Sequence, residues 1–326
     1  MRAFFQWATS NNLKLTPVRP NSMTLNLPSE LSTNDLVAML PEGSAPIDAR
    51  SAQGRRLRRT IQKGLAHLVL RDTVKLLRHA EKERRDKLDK YETSYDVDAR
   101  NAANNYDKIG RKDLFRLGDD FIVELEGRQF LRLMTERLGD ILEKLEPESL
   151  CEVGAGMGRN LLSLASRFPT VRCAAFELSS SGVATAKALQ SLPDLPDTSY
   201  GRFYNIDPTH MDNVRRIDFQ QGSAYNLPAA DNSYDVVYTF AALEQMHDGI
   251  DAAMSELRRI ARRYVLLFEP FTDCNDLLGR AYLRARNYFR MPIVDLPAYG
   301  FEIVRTWRVV PVKPTFAYGF VLLRPL

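Results

Sequence analysis

Cys151-Glu152-Val153-Gly154-Ala155-Gly156-Met157-Gly158-Arg159-Asn160 places three alternating glycines between an apolar run and a helix-forming one. Leu150 to Val153 has the composition of a short strand, and Arg159 to Arg167 that of a helix. Glycine removes the side chain where a backbone must turn sharply and approach a ligand, so strand, loop and helix in this order predict a ligand cradle. A dinucleotide loop wants its third glycine where Arg159 stands, which makes NAD the second candidate ligand and not the first. A second strand, Arg172 to Phe176, ends in Glu177, about twenty residues past the glycines. A carboxylate there can accept both hydroxyl protons of a ribose, with Phe176 and Leu178 flanking the sugar and its base. Any adenosine ligand fits that pattern.

Working outward, short β-type runs continue at Ile217 to Gln220, Asp235 to Phe240, Tyr264 to Phe268, Phe301 to Val304 and Tyr318 to Leu323. Helical stretches fall between them at Ser181 to Leu192 and Ile250 to Arg262. Strand and helix in alternation predict an α/β fold, a mostly parallel sheet of seven strands covered on both faces. Upstream, Leu57, Ile61, Leu65, Leu68 and Val69 recur at helical spacing in a proline-free segment from Arg55 to about Tyr91, and its charged end, Glu81 to Lys90, is expected to project into solvent. A further helix is expected from Asp119 to Leu145, ended by Pro147. The first fifty residues hold Pro17, Pro20, Pro28, Pro41 and Pro46 and read as loops and short elements. The chain therefore divides into a mainly helical extension, 1–95, and a ligand-binding domain, 96–326.

The glycine stretch resembles the E/D-x-G-x-G-x-G motif of the class I methyltransferases, and the resemblance covers roughly Tyr106 to Leu326. It implies a Rossmann-like sheet whose last two strands form an antiparallel hairpin, and S-adenosyl-L-methionine as cofactor. The loop would be Gly154, Ala155, Gly156 and Gly158, with Glu152 near the amino acid part of the cofactor, and Glu177 and Leu178 at the ribose and adenine. After the third strand, Ser223 stands where the family usually has an Asp for the adenine amino group, with the Ala224 amide beside it. Leu227 to Val237 looks like the family's approach to its fourth strand. Phe240-Ala241-Ala242-Leu243-Glu244-Gln245 resembles a segment that small-molecule members write with Leu-Glu-His, Gln245 replacing His. Phe240 would then lie beside the methionine portion. Tyr106, before the long helix, is either an aromatic lid over the sulfonium or a packed core residue.

A sulfonium methyl is already activated, so such an enzyme mainly aligns a nucleophile and excludes water. If the acceptor is a hydroxyl, His247, His210 or Glu244 can take its proton, although structural roles fit each of them as well. The expected acceptor is oxygen or nitrogen of a small metabolite, a sugar or glycan among the candidates, and Trp307, Phe316 and Tyr318 can line its pocket or pack the sheet. Two other functions fit the same residues: an RNA methyltransferase, or a catalytically silent cofactor-binding partner, for which Ser223 and Gln245 would be the signs. No Asn/Asp-Pro-Pro-Tyr follows the fourth strand and no Pro-Cys pair occurs, which removes base-amine and pyrimidine-ring chemistry but leaves ribose and wobble acceptors.

Charge supports the RNA alternative only in part. Ser51 to Glu92 carries 13 Lys or Arg against 6 Asp or Glu, while the whole chain carries only +4. Arg55, Arg56, Arg58, Arg59 and Lys63 can contact phosphates or another anionic surface, or form a solvated helix face that covers the site or mediates a homodimer. The three cysteines, Cys151, Cys173 and Cys274, make neither a disulfide framework nor a zinc signature, no metal is called for, and a reducing cytoplasmic setting fits. No apolar run approaches the roughly 20 residues that span a bilayer, and the segment Met1 to Asn12 lacks a secretory core, so neither a transmembrane segment nor a cleaved signal is expected.

Overall fold

The computed structural model describes residues 27–28, 40, 45–106, 112–117, 121–309 and 315–326, with the side chains of 74–91, 247 and 308 outside that set. Among the described residues the first element, β1 (Ile47–Asp48), leads through the capping residue Ser51 into α1 (Ala52–Tyr95), a helix of 44 residues. The Ser51 hydroxyl accepts from the Gly54 amide at 3.0 Å, satisfying one of the unpaired donors of the first turn. Leu65 is buried on the inner face of α1, whereas the side chains of Glu81 to Lys90, expected in solvent, lie outside the described residues. The loops expected in the first fifty residues lie mostly outside them too.

A short helix α2 (Ala99–Asn104) precedes two strands, β2 (Lys112–Leu117) and β3 (Phe121–Glu126), which pair antiparallel with each other while β3 also pairs with β1. This three-stranded sheet corrects the sequence reading: the helix expected from Asp119 begins only at Gly127, and Phe121–Glu126 is strand. Phe121 and Leu125 share a helical spacing, but Ile122 and Val123 are β-branched and β2 offers their backbone a partner, so tertiary pairing decides. The helix that follows, α3 (Gly127–Leu145), buries Phe130, Met134, Leu138, Ile141 and Leu142 against the large sheet.

That sheet comprises β4 (Ser149–Val153), β5 (Arg172–Glu177), β6 (Asp218–Gln221), β7 (Tyr234–Phe240), β8 (Ala261–Glu269), β9 (Phe301–Arg308) and β10 (Gly319–Pro325), in the order β6-β5-β4-β7-β8-β10-β9. β4 to β8 are mutually parallel; β10 runs antiparallel to both β8 and β9. β4 and β7 are buried along their whole length, as strands covered on both faces must be. Helices α4 (Arg159–Arg167), α5 (Ser180–Gln190), α6 (Ser199–Phe203) and α7 (Met211–Arg215) follow β4 and β5, and α8 (Ile250–Ile260) and α9 (Leu277–Ala285) follow β7 and β8. α8 stops two residues earlier than its pattern suggested, because Ala261 already pairs with Tyr234. Strand order reverses at β4, which has β5 on one side and β7 on the other, and ligands in such sheets bind beyond the carboxyl ends of the strands at that reversal. Among the described residues, no helix is long and apolar enough to cross a membrane.

The lower end of the sheet is fastened by one buried carboxylate. Asp235, 1 % exposed, accepts from the Glu148 amide at 2.9 Å and the Ser149 amide at 3.2 Å, and pairs with the Arg262 guanidinium at 2.6 Å. Burial pushes its carboxyl up, but Arg262 and the Glu148 amide outweigh that and hold it below the ordinary carboxylate value. Its stabilisation is therefore present above the unfolded-state pKa and lost as pH falls through the depressed one. We expect Asp235→Ala to lower unfolding free energy by about 3 kcal/mol, read by denaturant titration at neutral pH, with the gap to wild type closing below about pH 4. A gap independent of pH would contradict the ionised assignment.

Candidate cofactor and acceptor site

The loop between β4 and α4 depends on its glycines. Gly154, Gly156 and Gly158 have φ of 80°, 55° and 72°, all in the left-handed region that side chains disfavour. A Cβ on Gly154 would stand 2.4 Å from that of Ala242, and one on Gly158 would stand 2.5 Å from the Phe219 ring. Conformation and space thus both exclude larger residues, and the loop lies at the strand-order reversal as bare backbone.

Glu177, at the end of β5, fastens this loop. Its carboxylate accepts from the Gly156 amide at 2.7 Å and from the Ser179 amide at 2.9 Å. The Gly154 amide donates to the Phe176 carbonyl at 2.8 Å, and the Gly222 amide to that of Glu177 at 2.9 Å, so the loops after β4, β5 and β6 form one rim. Leu178, Ser223 and Ala224 stand on that rim. Ser223 Oγ accepts from the Tyr225 amide at 3.3 Å and Ala224 is buried, while Leu178 and Tyr225 remain 47 % and 45 % exposed. Leu178 follows the buried carboxylate directly, and the Tyr225 ring lies against Gly249.

Glu152 lies beneath the loop, 1 % exposed. Its Oε1 accepts from Asn160 Nδ2 at 3.4 Å, and Thr135 Oγ1 in turn donates to Asn160 Oδ1 at 2.9 Å. Its Oε2 is buried without a hydrogen-bond partner. Burial, more than the nearby charge of Glu177, pushes this carboxyl up to about 8, against the pull of Tyr238 and Asn160.

Across the strand reversal, Phe240 ends β7 stacked on Phe268 with ring centroids 4.3 Å apart. The chain then turns through Ala241, at φ 55°, an uncommon conformation for a residue with a Cβ. Glu269, at the end of β8, holds that turn: its carboxylate accepts from the amides of Ala242 and Leu243 at 3.0 Å and of Glu244 at 3.1 Å. Burial and the neighbouring Glu244 raise the Glu269 carboxyl to about 8. Glu244 itself accepts from the Tyr318 hydroxyl at 2.9 Å and from Gln245 Nε2 at 3.0 Å. The backbone of His247 lies in the next 3-10 turn, His247–Gly249, and its side chain is outside the described residues.

The sequence reading passed over three residues. Glu269 closes β8 as Phe-Glu, just as Glu177 closes β5, and a carboxylate ending a buried strand was a usable signal. Glu92 and Tyr95, on the last turn of α1, gave none. Glu92 accepts from the amides of Ser180 at 2.8 Å and Ser181 at 2.9 Å at the start of α5, which lowers its pKa, and Tyr95 lies over Gly156, its hydroxyl 3.1 Å from where a Cβ would be. Burial first, then the charge of Glu177, raises the Tyr95 phenol. The long helix therefore ends as a wall of the cleft.

Two sequence candidates stand apart from this group. His210 Nδ1 is 2.9 Å from the Ser166 carbonyl, at the far end of α4 from the glycines. Tyr106 packs among Tyr200, Phe203 and Tyr204, its hydroxyl 3.0 Å from that of Tyr204, with the Arg159 guanidinium over its ring. Arg55, Arg56, Arg59 and Lys63 line the shallow outer groove of α1 and are exposed, whereas Arg58 turns inward.

Residues 151–268 match the family model described as a methyltransferase domain. Over those residues the chain has a methyltransferase domain. No curated protein matches its sequence. Among solved structures, a SAM-dependent methyltransferase from Methanosarcina mazei is 18 % identical over 55 % of this chain and 92 % of its own, with a TM-score of 0.43. A candidate sarcosine dimethylglycine methyltransferase from Galdieria sulphuraria is 14 % identical over 62 % and 88 %, with a TM-score of 0.48. A protein from Pyrococcus horikoshii is 12 % identical over 62 % and 92 %, with a TM-score of 0.41.

The raised Glu152 carboxyl gives the methyltransferase domain a pH signature. Between its ordinary value of 4.5 and about 8 the folded state holds a proton that the unfolded state has released, so its contribution to stability is full below pH 4.5 and lost as pH rises to about 8. Glu152→Gln fixes the neutral form. Its melting temperature should gain on wild type progressively from pH 5 to pH 8, and a difference constant over that range would show that Glu152 is ionised in the fold.

Proposed function

We propose that this chain transfers a methyl group from S-adenosyl-L-methionine to oxygen or nitrogen of a small metabolite, a sugar among the candidates. The observation that carries the reading is the pair of buried carboxyls on either side of the glycine loop. Glu177 is held by the Gly156 amide of that loop and by the Ser179 amide, and Glu152 keeps one oxygen buried and unpartnered. A buried, unsatisfied carboxyl oxygen beneath bare backbone suits an ammonium group, and Glu177, with Leu178 and Tyr225 beside it, suits a ribose and its base.

On this reading Glu152 takes the cofactor's amino acid end together with Gly154, Ala155, Gly156 and Gly158, while Glu177 and Leu178 take its adenosine with Ser223 and Ala224. Ser223 supplies a neutral acceptor, not a charged one, at the adenine edge. Tyr95, over Gly156, and Phe240, at the end of β7, flank the methionine portion on this reading, while Tyr106 stays with Tyr200, Phe203 and Tyr204. When bound, the cofactor supplies a methyl electrophile on its sulfonium. The residues of this chain then have two tasks, to align the acceptor and to exclude water, and the wall formed by α1 serves both.

Glu244 spends both carboxylate oxygens on Tyr318 and Gln245, so it orients the turn after β7 more readily than it removes a proton. That leaves His247 as the candidate base for a hydroxyl acceptor, and a nitrogen acceptor needs none. A second reading rests on the exposed row Arg55, Arg56, Arg59 and Lys63, which suits RNA or another anionic surface; retention on RNA falling steeply with salt is its test.

Calorimetry with S-adenosylhomocysteine tests the main reading. Binding is expected in wild type, weakened about tenfold or more by Glu177→Ala, which removes two charge-assisted hydrogen bonds. Because an ammonium beside Glu152 lowers its raised pKa, binding near pH 7 should release a proton, seen as a heat that varies with buffer ionisation enthalpy and vanishes in Glu152→Gln. No heat with S-adenosylhomocysteine and clear uptake of NAD would overturn the reading.

A further inference from the structure

The long helix α1 reaches from one side of the cleft to the other. It touches α9, which follows β8, and α5, which follows β5, and those two strands lie on opposite sides of β4 and β7. Its last turn comes down at the strand-order reversal, with Tyr95 over Gly156. The two contacts are held differently. Toward α9, Asp72, 3 % exposed, pairs with Arg286 at 3.6 Å and with its own neighbour Arg71 at 2.7 Å. Breaking such a pair leaves a buried charge uncompensated, so this contact is a fixed point. Glu92 lies twenty residues further on, about 30 Å along the helix axis.

Toward α5 the helix is held by a few hydrogen bonds. Glu92 uses both carboxylate oxygens, accepting from the Ser180 amide at 2.8 Å and the Ser181 amide at 2.9 Å, and its carbonyl accepts from the Ser181 hydroxyl at 2.7 Å. The Thr185 hydroxyl, further along α5, donates to the Tyr95 carbonyl at 2.7 Å. The Ser179 amide just before belongs to Glu177, so three successive amides are divided between the two carboxylates. Glu92 is half-buried, and water can replace its partners. Beyond Tyr95 the chain is exposed and irregular for three residues, 96–98. The next element, α2, is anchored again: the Ser199 hydroxyl donates to the Asn104 carbonyl at 2.6 Å, and Arg100 pairs with Asp194. A short irregular link between two anchored helices is where a hinge can absorb a backbone change.

We propose that the last turn of α1, Glu92 to Tyr95, is a gate latched on α5 by Glu92, and that cofactor enters and leaves the cleft when this latch opens about the link 96–98. The gate rests on the methyl-transfer reading for the identity of what passes, and adds to it a control on the rate of passage. With the latch closed, the Tyr95 ring covers Gly156 so closely that a Cβ there would stand 3.2 Å from a ring carbon. On the methyl-transfer reading that same bare backbone meets the cofactor's methionine end. Glu92 bonds to α5 and not to the cofactor, so its bonds hold the gate in the empty and in the loaded protein alike. Loss of the latch therefore speeds passage in both directions and leaves the equilibrium nearly unchanged, whereas loss of a cofactor contact speeds release alone. Glu92 is thus a positioning residue, acting through Tyr95.

Surface plasmon resonance on the immobilised full chain reads both rate constants for S-adenosylhomocysteine. Glu92→Ala should raise association and dissociation about fivefold or more each, while the equilibrium constant moves by less than about threefold. Glu92→Gln, which keeps one amide acceptor, should fall between Ala and wild type. Thr185→Val removes the other bond to α5 without changing charge and should move both rates the same way, and Glu143→Gln, on α3 beside Arg167, should move neither. Faster release with unchanged association in Glu92→Ala, or no change in either rate, would overturn the gate. Amide hydrogen exchange reads the opening without ligand. In Thr185→Val the Ser180 and Ser181 amides, whose acceptor Glu92 is intact, should exchange about fivefold faster or more, with the turn around Asp72 unchanged. Unchanged exchange at both serines, or an equal rise around Asp72, counts against the gate. The two readings stay distinguishable: S-adenosylhomocysteine binding with the same rates in Glu92→Ala removes the gate alone, and faster exchange at Ser180 and Ser181 with no such binding upholds the moving turn while the methyl-transfer reading falls.

Discussion

A single carboxylate ties together the loops around which the cleft is built. Glu177 accepts from Gly156 on the β4 loop and from Ser179 on its own, while its carbonyl accepts from Gly222 beyond β6. Hydrogen bonds from backbone amides to an ionised acceptor are about twice as strong as neutral ones, and here they are made in a water-poor setting. The three left-handed glycines would otherwise be the least constrained backbone in the chain, because glycine has the most conformational freedom to lose. Order in the loop therefore comes from a side chain on the neighbouring strand.

The same device recurs across the strand reversal. Glu269 at the end of β8 gathers the amides of Ala242, Leu243 and Glu244, and so fixes the turn that leaves β7 through the strained Ala241. Each rim of the cleft thus has a buried carboxyl at the carboxyl end of an adjoining strand. Glu269 and Glu152 are pushed up to about 8 by burial, and Glu269 also by Glu244, so near neutral pH both sit close to the midpoint of titration. A cation entering the cleft would tip the acid it approaches toward ionisation, which makes the charge of the site depend on what it holds.

Much of this was legible from local sequence. The loop from Gly154 to Gly158, the strand ends at Phe176 and Phe240, and the seven strands declare themselves through composition and spacing over a few residues, because glycine conformation and buried parallel strands are local constraints. Phe121–Glu126 was misread because six residues with an i,i+4 pair fit a helix as well as a strand, and only β2 decides between them. Tyr95 and Glu92 were invisible for a different reason. Nothing within α1 indicates that its last turn meets Ser180, Ser181 and Gly156, which follow about sixty to ninety residues later.

The division between legible and illegible follows the division of labour in the site. The residues proposed for the cofactor cluster mostly between 152 and 240, on the strand-loop units that flank the reversal at β4. A cavity beside α1 is assembled otherwise: Arg58, Arg116, Asp276 and Phe316 come from four separate regions, all of them outside the parallel strands. β10 inserts between β8 and β9, and Thr315, Phe316 and Ala317 just before it line that cavity together with residues of α1. An antiparallel last strand thereby delivers Phe316 and Tyr318 to the carboxyl ends of the parallel ones, since Gly319 pairs with Glu269.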